Sequence, residues 1–359
     1  MEFHESLREW YLKNHRDLPW RANRDPYQIW LSEIILQQTR VDQGIGYYHR
    51  FLEQYPTVND LAGASEDAVL KLWQGLGYYS RARNLHYTAR FIRDEYGGKF
   101  PSNHAAIRQL KGVGDYTAAA IASFAFGLPH AAVDGNVMRV LSRIFGLDEP
   151  IDSTAGKKAI TQLAHELIDP DDPATFNQGM MEFGALQCVP RQPACPSCTF
   201  IDRCAAFATG RVADLPVKRK KTASRDRYFH YLVISWKGQL YLRKRTGKGI
   251  WQNLHEFPLV ETPTALEPDA LPASESWQRI FAGTQPVVKS VSPLFKHILS
   301  HQRIHARFWQ ITLPDATPPK LEPDVFAIPA DAFSQYAVPR LIERYMVGEN
   351  LSAATPAGG

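Results

Sequence analysis

Glu33 and Asp134 stand in stretches that could turn a carboxyl group into a catalyst. Glu33 lies in Leu31-Ser32-Glu33-Ile34-Ile35-Leu36, where a helical wheel puts it at the border of an apolar face. A carboxyl there is partly desolvated, which disfavours the anion and raises its pKa. Such a group can stay protonated and act as a general acid. Asp134 lies in Val133-Asp134-Gly135-Asn136-Val137-Met138-Arg139. An aspartate before a helix caps it by accepting from backbone amides, and an anion held in that way stays ionised and could stabilise a sugar cation. Each has a plainer alternative. Glu33 could be a surface glutamate on an amphipathic helix, and Asp134 could be an N-cap and nothing more. Taken singly, those alternatives are the stronger.

Cys188, Cys195, Cys198 and Cys204 follow the spacing C-x6-C-x2-C-x5-C, and the chain has no other cysteine. A secreted disulfide scaffold is short and spreads its cysteines. Thiols gathered in one stretch read instead as metal ligands. Structural zinc sites usually show two close ligand pairs, whereas this stretch has a single C-x2-C with long outer gaps. Four cysteinates suit a 4Fe–4S cluster, whose spacings differ between families. Spacing favours the cluster and leaves zinc, and more distantly a disulfide pair, as alternatives.

Two glycine-bearing turns could meet a polyanion. In Leu110-Lys111-Gly112-Val113-Gly114-Asp115-Tyr116, the glycines allow a tight turn and a close approach of backbone to ligand. The amides of Gly112 to Asp115, with the start of the next helix, would form an anion site. A helix-hairpin-helix of this kind grips a phosphodiester backbone without reading bases. A dinucleotide fingerprint would need a preceding strand and a third glycine, where this chain has a helix and Thr117. A plain helical hairpin is the other reading. The second turn is Gly75-Leu76-Gly77-Tyr78-Tyr79-Ser80-Arg81-Ala82-Arg83. With Gln37, Gln38 and Thr39 it could wedge into a duplex and hold its phosphates, or it could be a tyrosine-rich turn packed between helices.

Residues 1–212, which carry these groups, read as mostly helical. A helix begins at Asp25-Pro26, with Asp as N-cap and Pro at the first helical position. Its apolar positions run from Tyr27 through Ile35 to Val41 at helical spacing. Further helices are expected over 66–74, 80–95, 104–111, 115–126, 135–145, 156–168 and 175–186, punctuated by glycine and proline. Residues 213–227 include Lys218-Arg219-Lys220-Lys221 and read as a basic linker. Beyond it, strands are expected over 228–234, 239–243 and 304–312, with Lys237-Gly238 as a hairpin turn. The Pro- and Glu-rich piece 261–275 reads as a loop, and 349–359 as a disordered tail.

The composition bounds what these parts can build. The 359 residues suggest two domains or three. A chain 44% hydrophobic and 22% charged is ordinary for a globular protein. A formal net charge of +4 is compatible with a polyanionic partner without demanding one. The first residues are mixed and charged, with no apolar core of a leader. No stretch approaches the roughly 18 apolar residues of a membrane helix. The expectation is an intracellular, cytoplasmic protein with no membrane partner.

Several further pieces join the motifs above: Leu18-Pro19-Trp20-Arg21, Trp30-Leu31-Ser32-Glu33, and Leu36-Gln37-Gln38-Thr39. Together with Gly75-Leu76-Gly77-Tyr78-Tyr79, Gly112-Val113-Gly114, Asp134-Gly135-Asn136-Val137 and the cysteines, they run in order from residue 18 to 204. This set resembles the adenine DNA glycosylases, a family of helix-hairpin-helix glycosylases bearing an iron–sulfur cluster. The resemblance implies a monomeric base-excision-repair enzyme binding one 4Fe–4S cluster through the four cysteines. Its substrate would be double-stranded DNA in which adenine is mispaired with 8-oxoguanine or guanine. Glu33 would protonate the adenine, and Asp134 would stabilise or briefly bond the sugar oxocarbenium, a two-carboxylate logic shared with glycoside cleavage. Asn136 would position water or the carboxylate, and Tyr116 would line the pocket near the sugar. The base must leave the stack to reach them. Gln38 and Tyr78 would fill or pry the gap, Arg21 would contact the pocket or backbone, and Gln37, Thr39, Arg81, Gly112, Val113 and Gly114 complete the implied DNA contacts. The cluster would present cations such as Arg191 and Arg203 to phosphates. The related endonuclease III branch has lysine where this chain has Tyr116. A lysine amine can form a Schiff base with the opened sugar and tyrosine cannot, so a monofunctional enzyme is implied.

The second half is similar to the Nudix-like recognition domain of the same family, best in Gly249-Ile250-Trp251-Gln252-Asn253-Leu254-His255-Glu256-Phe257-Pro258. A Nudix hydrolase would follow this with a glycine-led helix carrying arginine and a glutamate cluster. Residues 261–277 contain neither glycine nor arginine, so binding without hydrolysis is implied. Leu299-Ser300-His301 stands where the family has a Phe-Ser-His loop that reads 8-oxoguanine. His297, His301 and His305 recur every four residues, as metal ligands on a helix would, but the strand-like run from Ile304 favours a metal-free reading. The expected architecture is multidomain. It comprises an all-α helix-hairpin-helix glycosylase domain over 1–212, with the hairpin at about 104–126 and the cluster loop at 188–204, then the linker, then an α+β Nudix-like domain over 228–348. Rival readings are excision of oxidised pyrimidines or mismatched thymine on the same fold, and a cluster-bearing DNA-binding regulator without catalysis.

Overall fold

The computed structural model describes residues 2–219, 224–281, 284–314 and 321–348. Part of the expected linker, 220–223, and the whole of the expected tail, 349–359, lie outside the described residues. The chain divides into two compact units, one of residues 1–63 and 84–221, the other of residues 64–83 and 222–359.

The first unit is helical. Its elements are α1 (Phe3–Asn14), α2 (Pro26–Leu36), α3 (Val41–Gln54) and α4 (Val58–Gly63). After α5 (Glu66–Leu72), which belongs to the second unit, α6 (Ser80–Tyr96) crosses the division. Then come α7 (His104–Gln109), α8 (Asp115–Phe126), α9 (Gly135–Phe145), α10 (Thr154–Leu167), α11 (Pro173–Leu186) and the short α12 (Ala205–Ala208). Asp25 caps α2 by accepting from the Tyr27 amide, with Pro26 at the first position. The apolar pattern there predicts one helix reaching Val41, but α2 stops at Leu36. The chain turns through Gln38, at a φ of 58°, and restarts at Val41. Helical periodicity continues across the break and so conceals it. Nor is α2 amphipathic: every residue from Tyr27 to Ile35 except Gln28 is buried. The run Ala118-Ala119-Ala120-Ile121-Ala122 keeps α8 slim, and it packs against α2. A core of Leu7, Val140, Leu141, Met180 and Phe183 joins α1, α9 and α11.

The second unit is built on a mixed sheet. Its strands are β1 (Arg225–Trp236), β2 (Gln239–Lys244), β3 (His255–Glu256), β4 (Leu259–Thr262), β5 (Val287–Val291), β6 (Phe295–Ile298), β7 (Gln302–Thr312) and β8 (Val325–Pro329). The path β3-β2-β1-β7-β5 is hydrogen-bonded in that order, with β4 on β1, β6 on β7 and β8 on β2. Parallel pairing of β1 with β7 sets Tyr231 beside Phe308. Lys237 and Gly238 both take positive φ, 47° and 75°, as a two-residue hairpin turn requires. α13 (Glu275–Ile280) and α14 (Arg340–Gly348) cover the sheet, Tyr345 of α14 stacking on Phe308 at 4.0 Å. The stretch expected as a loop over 261–275 holds the end of β4 and a 3-10 turn at Pro268–Ala273. Among the described residues, no helix is long and apolar enough to cross a membrane.

Candidate active site and cysteine loop

A cavity of about 730 Å³ opens in the first unit. Glu33 enters it from α2, Tyr116 from α8, Asp134 and Asn136 from the start of α9, and Glu182 from α11, with Arg21 beside them. Residues separated by more than a hundred positions in sequence thus line one cavity.

Glu33 is only 6% exposed. Burial pushes its carboxyl up to about 7, reinforced by the Asp134 charge and opposed by a hydrogen bond from Tyr116 and by Arg21. Near neutral pH, much of it therefore keeps its proton. The same surroundings hold the Tyr116 hydroxyl well above the ordinary tyrosine range, burial first and the two carboxyl groups next. Tyr116 is a neutral donor, placed between Glu33 and the sulfur of Met181 at 3.6 Å.

Asp134 caps α9. Its Oδ1 accepts from the amides of Asn136 and Val137, both at 2.8 Å, and its Oδ2 from the Asn136 side chain at 2.8 Å. The cap and the pocket carboxylate are one group. Burial nonetheless raises its pKa, against the pull of these donors and of Arg139. The Asp134 charge in turn helps to keep Glu33 protonated.

Behind Asp134 a chain of bonds leads to the cysteines. Arg139 donates to Asn136 Oδ1 at 2.9 Å, to the Gly184 carbonyl at 2.6 Å and to the Cys188 carbonyl at 2.9 Å. One turn on, Arg143 donates to the carbonyls of Val189, Pro190 and Leu215 and to the Cys188 sulfur at 3.5 Å. The four thiols are free, and Cys188, Cys198 and Cys204 pack against the helical core. Among the described residues no three such side chains stand close enough together to hold a metal ion, but the thiols lie near enough to feel one another's charge. N–H donors reach two of the sulfurs, Arg143 at Cys188 and the Phe200 amide at Cys198. Four thiols outside any disulfide, two of them facing N–H donors, suit cysteinate ligands of an iron–sulfur cluster. Of the cations expected beside them, Arg203 turns to Ser6 at 2.9 Å, while Arg191 is exposed.

Sequence reasoning missed Arg16 and Glu182. Glu182 is 1% exposed, and Arg16 and Arg21 bind both its oxygens at 2.7 to 3.0 Å. Its carboxylate falls to about 2, burial being outweighed by the bonds from the two guanidiniums. The available signal was a lone charge in the apolar run Met180-Met181-Glu182-Phe183.

The residues expected to touch DNA are placed unevenly. Gly112, at a φ of 83°, turns the α7–α8 hairpin, and a Cβ there would lie 2.8 Å from Asn84. Gly112 and Gly114 are exposed, but the Val113 side chain is buried and offers only backbone outward. Arg81 is turned inward, bonded to the Leu76 and Gly77 carbonyls over the Trp73 ring, its pKa pulled down to about 10 by burial. Gln37 donates to Thr117 Oγ1 at 3.3 Å, Gln38 is exposed, and Thr39 lines the large cavity. In the second unit, Tyr78 is 48% exposed with a φ of 46°, and its hydroxyl pairs with Ser300 at 2.7 Å. Tyr78, Trp251, Leu299, Ser300 and His301 line a cavity of about 260 Å³. His297 sits on β6 and His305 on β7, so the four-residue recurrence of histidines is not a helix face; His305 pairs with Asp226 at 2.8 Å.

Residues 31–170 match the family described as HhH-GPD superfamily base excision DNA repair protein, and residues 230–347 match the NUDIX domain. An adenine DNA glycosylase of Buchnera aphidicola (subspecies Schizaphis graminum) is 36% identical over 264 residues, 72% of this chain and 75% of that one. The Mus musculus adenine DNA glycosylase is 33% identical over 368 residues, 88% of this chain and 71% of that one. Among solved structures, a thermostable thymine-DNA glycosylase is 34% identical with a TM-score of 0.54, covering 58% of this chain and 95% of that one. A non-covalent endonuclease III–DNA complex, 23% identical with a TM-score of 0.50 over 58% of this chain and 94% of that one, shares the fold.

Proposed function

Since the chain belongs to the adenine DNA glycosylases (the MutY family), base-excision-repair enzymes of the helix-hairpin-helix superfamily, we propose that it hydrolyses the N-glycosidic bond of adenine paired with 8-oxoguanine or guanine. The observation that carries this reading is Glu33 at about 7, bonded to Tyr116 and lining one pocket with Asp134. The Glu33 carboxyl gives its proton to a ring nitrogen of the flipped base. The C1′–N bond breaks with its electron pair going to the base, and the sugar becomes an oxocarbenium. Asp134, set by the α9 amides, stabilises that cation, and water attacks C1′ and loses a proton to the Glu33 carboxylate. Asn136 holds Asp134, and Tyr116, a neutral phenol, cannot form the Schiff base that a lysine would.

Two neighbouring groups suit adenine. Its edge presents an amine donor beside a ring-nitrogen acceptor, and Glu182 with Arg21 presents an acceptor beside a donor. Cys188, Cys195, Cys198 and Cys204 would hold one 4Fe–4S cluster, which supplies rigidity to the loop rather than chemistry at the base. The hairpin amides at Gly112 and Gly114 would take backbone phosphates. The cavity of Tyr78, Leu299, Ser300 and His301 would receive 8-oxoguanine, with Ser300 and His301 hydrogen-bonding it.

A duplex cleavage assay with alkaline workup tests this. Adenine opposite 8-oxoguanine and opposite guanine should be excised. Thymine opposite guanine and thymine glycol opposite adenine should not, and preference for either would favour the rival pyrimidine-excising reading that the thymine-DNA glycosylase likeness raises.

A further inference from the structure

Asn177 lies on α11 beside the pocket without lining it, and it is 1% exposed. Its amide makes three hydrogen bonds to two other parts of the unit. Nδ2 donates to Ser123 Oγ on α8 at 2.9 Å and to the His130 carbonyl at 2.8 Å. Oδ1 accepts from the Ala132 amide at 2.9 Å. The pattern fixes the amide's orientation, because the Ala132 N–H requires the oxygen and the His130 carbonyl requires the nitrogen. Two residues beyond Ala132 the chain reaches Asp134. Through α8 the same amide is tied to the helix carrying Tyr116, and α11 itself carries Glu182.

We propose that Asn177 is a positioning residue for the glycosidic reaction: by pinning the backbone at His130 and Ala132 to α8 and α11, it sets where the Asp134 carboxylate stands relative to Glu33 and Tyr116. The proposal rests on the catalytic role given to Asp134. The loop before α9 is held at its far end by Asp134's own capping bonds and at its near end by Asn177. Without the near anchor, two backbone polar groups lose their buried partner and must find others by moving. A shift of about 1 Å at a reacting group can cost up to about a hundredfold in rate. Asp134 shares its pocket with Glu33 of α2, Tyr116 of α8, Glu182 of α11 and Arg139 of its own helix. Its ionisation therefore reports its position among them.

The test compares Asn177→Ala, Asn177→Ser and Asp134→Asn in the full chain. Single-turnover rates are taken across pH, with folded fraction by circular dichroism and affinity for a duplex whose target adenosine has an uncleavable carbocyclic sugar. Asn177→Ala should slow turnover by about tenfold or more with duplex affinity unchanged. Its acidic limb should move to higher pH, because Asp134 drifts from the donors that favour its anion. Asn177→Ser, which keeps one polar group, should fall between, and it carries the comparison if Asn177→Ala does not fold. Wild-type rate and wild-type pH profile per folded molecule in the Asn177 variants, with or without a lowered Tm, would overturn the proposal while Asp134→Asn stays inactive. Full turnover by Asp134→Asn would overturn the role of Asp134 itself, and this proposal with it.

Discussion

A methyl group placed on Gly184 would lie 2.6 Å from the Cβ of Asn136. The crossing of α9 and α11 is so close at this point that only hydrogen fits, and Asn136 is the residue that holds Asp134. Gly184→Ala should push α9 away from α11. The expected result is an overpacking cost of about 1–3 kcal/mol in stability and a fall in single-turnover rate of about tenfold or more, read by thermal unfolding and quenched-flow cleavage. A variant with wild-type rate would show that the start of α9 tolerates displacement.

Glu33 gives a pH dependence of defined sign. Its pKa, raised to about 7, leaves it protonated below that value. With Glu33 as the proposed proton donor, single-turnover cleavage should fall as pH rises through about 7. Stability follows the same group. The folded state holds the proton more tightly than the unfolded chain, so this group's contribution is full at acid pH and is lost as pH rises from the ordinary 4.5 through about 7. Glu33→Gln should therefore be the more stable protein at pH 8, by on the order of 2 kcal/mol, and the less active. Urea titrations of both proteins at pH 5 and pH 8 check this.

His230 gives the opposite slope in the second unit. It is buried at 4% exposure, and burial, helped by Arg307, lowers its pKa from 6.5 to about 4. The unfolded chain binds the proton more readily, so stability is full above 6.5 and is lost as pH falls through the window down to about 4. Replacing His230 with Leu should flatten this acid sensitivity, measured as the slope of Tm against pH for the unfolding step of that unit.

Arg143 ties three carbonyls and a cysteine sulfur together. Arg143→Ala should purify with less iron per chain if the four cysteines hold a cluster, since the loop loses its fixed donors on the order of 1–3 kcal/mol each. Unchanged iron content would remove Arg143 from the support of that loop.

Much of this was legible in the sequence, and the reason lies in which signals are local. The helices near 80–95, 115–126 and 135–145 and the Lys237-Gly238 hairpin follow from period, caps and turn residues close in the chain, and the structure has them. The end of α2 was concealed because apolar spacing runs on through Gln38. Glu182 escaped notice because its meaning depends on Arg16 and Arg21, more than 160 positions away. Arg81 looked like a phosphate contact from its type and neighbours, whereas its guanidinium is spent on its own loop. Asp134 looked like either a cap or a catalyst, and the cap geometry is what places it in the pocket.

Tyr116 bears on whether the strand is cut. Borohydride added during reaction with abasic DNA should trap little enzyme, because a phenol forms no Schiff base. Efficient trapping would point to a lysine the pocket does not contain among its lining residues.

The roles of the two carboxyl groups are settled by single-turnover excision of adenine opposite 8-oxoguanine, comparing wild type with Glu33→Gln and Asp134→Asn at saturating enzyme. Both variants should bind the duplex and cleave at least about a hundredfold more slowly, the usual contribution of a positioned acid. Either variant cleaving at the wild-type rate would contradict the assignment of proton donor to Glu33 or of cation stabiliser to Asp134.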